Sequence, residues 1–239
     1  MIDASHRLVR FFPLGEAERN ALATLPLIRH TFAPHQDIVQ QGERPGQCCL
    51  IVEGWACRYR TLQQGERQIL SFHIPGDLPD IQSLHLPVTD HSLAAITPLT
   101  AGFLSHAQIH DLIAEHPRLG SALWKDTLID AAIYREWIVG MGRKEALPRM
   151  AHLLCEVFLR MQAVGLTTQH SCSLPITQTD MSDALGLTSV HVNRVLQDLR
   201  RQELIALEHR TLTILDWSRL EAVAEFDPTY LHQNLSVPA

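Results

Sequence analysis

The stretch SVHVNRVLQDLRR, Ser189 to Arg201, collects side chains that recognise other molecules by hydrogen bonding and charge. The forked donors of Arg194 match the O6 and N7 acceptors of guanine. Asn193, Ser189 and His191 can reach bases or phosphates, and Val190 can make only apolar contact, for instance with a thymine methyl. Arg200 and Arg201, farther along, suit backbone phosphate, and Arg210 adds a cation in the charged turn that follows. Such a face fits the major groove of DNA. A polar outer face is also what any helical hairpin in a globular protein presents, so the reading needs support from its surroundings. No GxSxG, phosphate-binding glycine loop or HExxH occurs, so no catalytic residue is nominated and the chain is not expected to be an enzyme.

The elements that position these side chains follow from spacing. Met181, Ala184 and Leu185 fall at i, i+3, i+4, and Val192, Val195, Leu196 and Leu199 repeat the pattern. Gly186 separates the two segments and can adopt the left-handed conformation that ends a helix, while the hydroxyl of Thr188 can cap the next one. Helix, tight turn and helix result. Downstream, ELIALEHRTLTILD places two apolar runs around a charged turn at Glu208 to Arg210, as a β-hairpin wing would. Upstream, ALPRMAHLLCEVFLRMQ reads as an amphipathic helix. Residues 143–239 are thus expected to form a winged helix-turn-helix domain with a C-terminal tail.

At 239 residues and 46% hydrophobic content, two packed domains are the natural expectation. The net charge of −6 is unevenly spread: residues 1–142 carry 11 Lys/Arg against 15 Asp/Glu, 143–215 carry 8 against 7, and the tail carries 1 against 4. The acid therefore sits outside the helix-turn-helix, whose net of +1 would serve DNA only if its arginines cluster on one surface. No apolar run approaches the ~20 residues of a membrane span, and no leader pattern opens the chain. A cytoplasmic protein with no membrane partner is expected.

The first half has a different grammar. PLGEAERNALATLPLI has helical spacing that Pro26 stops, and from Ile28 to about Ser105 short apolar or alternating runs are punctuated by turn residues. Their spacing favours a β-sandwich or jelly roll over residues 1–115. From Ile109 to about Gly140 helix returns, with Pro117 in a first turn. Gly120, Trp124, Thr127, Ala131, Tyr134, Ile138 and Met141 recur at steps of four and three, the seam of a two-stranded coiled coil over residues 116–142. Leu123, Leu128, Ile129, Ile133 and Val139 are expected to pack on the helix's own sandwich. Gly140, Gly142 and Pro148 are read as a break, with the domain boundary near Gly142. The fold class is α+β: β-sandwich, long dimerisation helix, winged helix-turn-helix.

Fourteen histidines raise a metal or haem site, several of them in the first half (His73, His85, His91, His106, His110, His116). His106 and His110 form a single i, i+4 pair near the expected helix start, too little for a metal centre, and no metal site or cofactor is assigned. The five cysteines form no CxxC pair. Cys48 and Cys49 are adjacent, and since strand residues alternate faces, one of the two is expected to be buried and inert.

Several strings now carry a resemblance: QGERPGQCCLIVEGWACRYR with its glycine turns, the turn IPGD, HPRLGSALWKD, and ITQTDMSDALGLTSVHVNRVLQDLRRQELI along its full length. Together, from about Leu8 to Leu215, the chain resembles the Crp/Fnr transcription regulators. The resemblance implies a cyclic-nucleotide-binding-like sensor domain and a homodimer on double-stranded DNA bearing a palindromic operator, with RNA polymerase as a further partner. It implies that Arg194 reads a guanine and that Asn193, Val190 and Ser189 face the other bases; Val190 departs from the glutamate of many relatives. Nucleotide-binding members carry Gly-Glu and, about ten residues on, Arg-Ser; here Asp80 and Ile81 and then His91 and Ser92 stand at those places, which disfavours cyclic AMP. Iron-sulfur members carry an N-terminal cysteine cluster, absent before Cys48. Tyr134 and Arg135 stand where nucleotide-binding relatives place short hydroxyl residues, and are expected to fill part of that pocket. The alternative from another class is a β-sandwich that binds a small molecule, metal or haem, with the C-terminal domain as an interaction module.

Overall fold

A computed structural model describes residues 12–233 of the chain; the start of the resemblance at Leu8 and the end of the tail lie outside them. Contacts divide the chain into two compact units, after Asp130.

In the first unit a short helix α1 (Glu16–Thr24) precedes strands β1 (Ile28–Phe32), β2 (Asp37–Val39), β3 (Gln47–Glu53), β4 (Ala56–Thr61), β5 (Arg67–His73), β6 (Ser92–Ala95) and β7 (Leu99–Ser105). They pair antiparallel in two sheets, β1-β7-β3 and β2-β6-β4-β5. One apolar cluster joins residues of both sheets: Val39, Cys49, Ile51, Leu93, Ala95, Ala101 and Phe103. A second cluster covers the other face of the smaller sheet, where Cys48, Leu50 and Leu104 meet Leu22 of α1, Ile109 and Leu112 of α2 (His106–Glu115), and Leu119, Ala122 and Leu123 of α3 (Pro117–Arg143). Strand β3 is therefore apolar on both faces, as strands covered on two sides are.

That double cover corrects the cysteine expectation: Cys48 and Cys49 are both buried, one toward each cluster. Burial pushes the Cys48 thiol up to about 12, with the Asp80 carboxylate adding to the shift. Cys49 is likewise raised well above the ordinary thiol range, by burial first and then by Asp80, so neither supplies a thiolate at neutral pH.

The second helical region is two helices rather than one. Ser105 and Gln108 close a capping box at the start of α2, and His116, ahead of Pro117, leaves the helical region and ends it. Helix α3 then runs through both Gly140 and Gly142 to Arg143, so the break falls at Lys144 and Glu145. On α3, Leu119, Ala122, Leu123, Ile129 and Ile133 are buried, whereas Leu128 and Val139 are exposed beside Trp124 (65% exposed) and Ile138 (69%). Leu128 and Val139 thus belong to the open face, not to packing on the sandwich. Gly120 is held by its own chain: a Cβ there would come within 2.9 Å of Ile113 on α2, so the glycine lets α3 approach α2.

In the second unit α4 (Ala146–Ala163) is buried almost all round from Met150 to Met161, the mark of a central helix. Around it stand α5 (Gln178–Leu185), α6 (Ser189–Arg201), α7 (Trp217–Ala224) and strands β8 (Thr167–Thr168) and β9 (Ser171–Ser173). Strands β10 (Ile205–Glu208) and β11 (Thr211–Ile214) complete a sheet of order β10-β11-β9-β8. The tail does more than trail: α7 and a 3-10 turn, Pro228–Leu231, contribute buried Trp217, Leu220, Phe226 and Leu231.

Candidate nucleic-acid interface

Helix α5 opens with a capping box, Thr177 Oγ1 accepting from the Asp180 N–H and Asp180 accepting from the Thr177 N–H. It ends at Gly186, whose φ of +61° suits the left-handed cap. Two residues on, Thr188 caps α6 by accepting from the His191 N–H at 3.2 Å. Val192, Val195, Leu196 and Leu199 are buried. The opposite face is open, with Ser189, Asn193, Arg194 and Gln197 exposed and Val190 82% exposed.

The side chains at the start of α6 are ordered by one another. His191 Nε2 lies 3.1 Å from Arg194 Nη2; a guanidinium only donates, so the imidazole nitrogen accepts. Asn193 Nδ2 donates to Oε1 of Gln178 at 3.3 Å, across the helix pair. Gln178 was not singled out from the sequence; its signal was its exposed place in the first turn, between Thr177 and Asp180 of the TQTD capping box.

The remaining cations separate. Arg201 pairs with Asp198 at the far end of α6. Arg200 is half-buried and donates to the Leu207 carbonyl at 3.1 Å, tying the wing to the helix rather than reaching outward. Arg210 is exposed at the wing tip, where His209 (φ 48°) and Arg210 (φ 62°) form a two-residue loop. Two residues with positive φ are what a type I′ hairpin requires. The exposed surface therefore combines Arg194 on the open face of α6, Arg201 paired with Asp198 at its far end, and Arg210 on the wing.

Of the residues expected on the dimer seam, Trp124 and Ile138 are exposed, and Thr127, Ala131 and Tyr134 are half-buried on the same helix. Met141 is exposed as well, and its methyl lies 3.8 Å from where a Cβ on Gly186 would sit.

The first unit holds a polar cluster where a ligand would be sought. Asp80 is buried, and its Oδ1 accepts from the Cys49 N–H at 2.7 Å. Burial raises its carboxyl to about 7, opposed by that N–H and by Arg58. Ile81 joins the apolar cluster under the small sheet. Arg58 on β4 is buried, donates from Nε to the Pro79 carbonyl at 2.6 Å, and pairs with Asp130 of α3 at 2.6 Å. Arg135, expected to fill a pocket, is exposed; the acidic side chains at Asp126 and Asp130 are the ones α3 turns inward. Among the described residues no group of three or more His, Cys, Asp or Glu could hold a metal ion, and no helix is long and apolar enough to cross a membrane.

Comparison with known proteins agrees with this division. A cyclic nucleotide-binding domain model matches residues 29–116 and a Crp-like helix-turn-helix domain model matches 148–223. The chain is 30% identical to the transcriptional activator protein FnrL of Cereibacter sphaeroides, over 86% of this chain and 85% of that one. It is also 30% identical to the nitrogen fixation regulation protein FixK of Rhizobium meliloti, over 80% and 84%. The crystal structure of FixK2 from Bradyrhizobium japonicum superposes with a TM-score of 0.76 at 24% identity, covering 83% of this chain and 98% of that one. A mutant of CooA from Carboxydothermus hydrogenoformans shares the fold at a TM-score of 0.67 and 16% identity, over 83% and 88%. With both halves matched and two regulators related along most of its length, the chain belongs to the Crp/Fnr family of DNA-binding transcription regulators.

Proposed function

We propose that this regulator acts as a homodimer on a palindromic operator, each copy presenting α6 to one half-site, with RNA polymerase as a further partner and the cytoplasm as its location. The carrying observation is the one-sided α6, whose buried apolar stripe leaves Ser189, Val190, Asn193 and Arg194 open together beside His191. Crp/Fnr regulators are dimers, and the exposed apolar side of α3 supports pairing through Trp124 and Ile138. In this reading residues 1–115 are the sensor, 116–142 the dimerisation helix and 143–239 the DNA-binding domain, and none of them has an enzymatic role.

The effector is not cyclic AMP, or there is none. His91 stands where the resemblance puts the phosphate-binding arginine, and the cation whose charge reaches it, Arg58, is already engaged by the Asp130 carboxylate and the Pro79 carbonyl. Displacing Asp130 would leave a carboxylate beside the incoming phosphate, and like charges in a partly buried site repel strongly. A gel-shift titration on promoter and random DNA, with and without the nucleotide, tests both statements. Preference for promoter sites unaffected by cyclic AMP is expected; equal affinity for random DNA, or a rise with the nucleotide, contradicts them.

A further inference from the structure

A chain of partly buried hydrogen bonds, centred on buried Glu156 and His152, runs through the DNA-binding unit. Glu156, in the middle of α4, is fully buried. Its Oε2 accepts from Trp137 Nε1 at 3.0 Å and from the Tyr230 hydroxyl at 2.9 Å. Tyr230 thereby spends its one donor, so at 3.0 Å from His152 Nε2 its oxygen accepts and Nε2 carries the proton. His152 Nδ1 is then the acceptor for Lys144 Nζ at 3.1 Å, and Lys144 donates again to the carbonyls of Ala224 at 2.8 Å and Glu225 at 3.0 Å. Every proton in this chain has an assigned acceptor. Burial, with the nearby Lys144 charge, lowers His152 to about 4, which keeps it neutral as the assignment needs.

The elements this network joins are the last turns of α3 (Trp137), the α3–α4 connection (Lys144), the central helix (His152, Glu156) and the C-terminal 3-10 turn (Tyr230). Arg149 adds a second tie, donating to the Lys144 carbonyl at 2.8 Å and to the Leu185 carbonyl, at the end of α5, at 2.6 Å. An apolar core could have packed these helices without polar groups, and one thing a directional polar network adds to such packing is the selection of one arrangement among several. The freedom to be removed here is the angle at Lys144 and Glu145, which break the helical run. Phe226 and Leu231 anchor the C-terminal segment, while Tyr230 stacks on the His152 ring at 5.7 Å with 14° between planes.

We propose that the C-terminal segment is a latch, in which Tyr230 and Lys144 act as positioning residues that fix the angle between α3 and the DNA-binding domain. This rests on the reading of α3 as the dimer helix. In such a dimer that angle sets the separation of the two recognition helices, and half-site spacing is a direct readout of it.

The test uses the full-length protein, an operator selected by the wild type from random DNA, and versions of it with two base pairs inserted or removed between half-sites. Wild type should discriminate strongly against altered spacing. Tyr230→Phe, which keeps the ring and deletes the hydroxyl, should lose about tenfold on the native spacing and little on the altered ones, so that discrimination falls by a similar factor. Lys144→Met, outside the packed core, should shift discrimination in the same direction. A folded Tyr230→Phe and Lys144→Met that both keep wild-type spacing discrimination, or that lose affinity equally at every spacing, would overturn the latch. Failure of the wild type to select any two-half-site operator would overturn the dimer reading beneath it.

Discussion

At the scale of single residues, Arg194 carries the sharpest expectation. A bidentate arginine–guanine pair discriminates by about 1–3 kcal/mol, and a dimer makes two. Arg194→Ala should therefore weaken operator binding by about two orders of magnitude while barely changing affinity for random DNA. Equal losses on both, measured by fluorescence anisotropy, would mean that the side chain supplies only charge. Asp80 carries a prediction about pH. Its carboxyl titrates near 7 in the folded protein against an ordinary 3.8, so between those values the native state holds a proton that the unfolded chain has released. Its contribution is greatest in acid and is lost as pH rises toward 7. Asp80→Asn keeps an acceptor for the Cys49 N–H and has no proton to lose. Denaturant unfolding should show the variant gaining on wild type from pH 4 to 7 and levelling above; a pH-independent difference would contradict this. The exposure of Arg194 was legible because a one-sided helix betrays its outer face in spacing alone. The burial of Asp80, the Arg58–Asp130 pair and the inward turn of Arg200 were not, because each depends on partners brought together by tertiary packing.

Among elements, those with long periodic patterns were readable: α1, α4 and the α5–α6 pair stand where apolar spacing puts them, α3 does so for its central turns, and the cap at Thr188 follows from its chemistry. Gly186 is the joint of the helix pair. At φ +61° a β-branched residue is strained, by about 1–3 kcal/mol. Gly186→Val should lower the thermal midpoint of the DNA-binding unit, read by circular dichroism, and an unchanged midpoint would show that the turn relaxes without cost. The misread elements have physical causes as well. Gly140 and Gly142 looked like a break, yet a glycine within a helix costs only about 1 kcal/mol relative to alanine, and α3 runs through both. Strands β8 and β9 are too short to show alternation. Helix α7 lies in a stretch whose acidic charge suggested a tail, although Trp217, Leu220 and Ala224 are spaced to bury one face.

For the molecule as a whole, pairing and DNA binding must stand together. Ala131 is half-buried on α3 between the exposed Trp124 and Ile138. Placing two like charges at a symmetric seam is costly, so Ala131→Glu should sediment as a monomer at low micromolar concentration and lose operator affinity with it. A variant that stays dimeric would move the interface elsewhere. On the proposed reading, the weak net charge of the DNA-binding region requires sequence-specific contacts and paired half-sites to supply the affinity that a broad basic surface would otherwise give. The most direct test is selection of binding sites by the purified full-length protein from a random DNA pool without added nucleotide, followed by titration of the enriched site. A two-fold symmetric consensus with a guanine in each half, bound at least about a thousandfold more tightly than random DNA, is the expected result. A pool that shows no symmetric consensus, or an enriched site bound no better than random sequence, would contradict it.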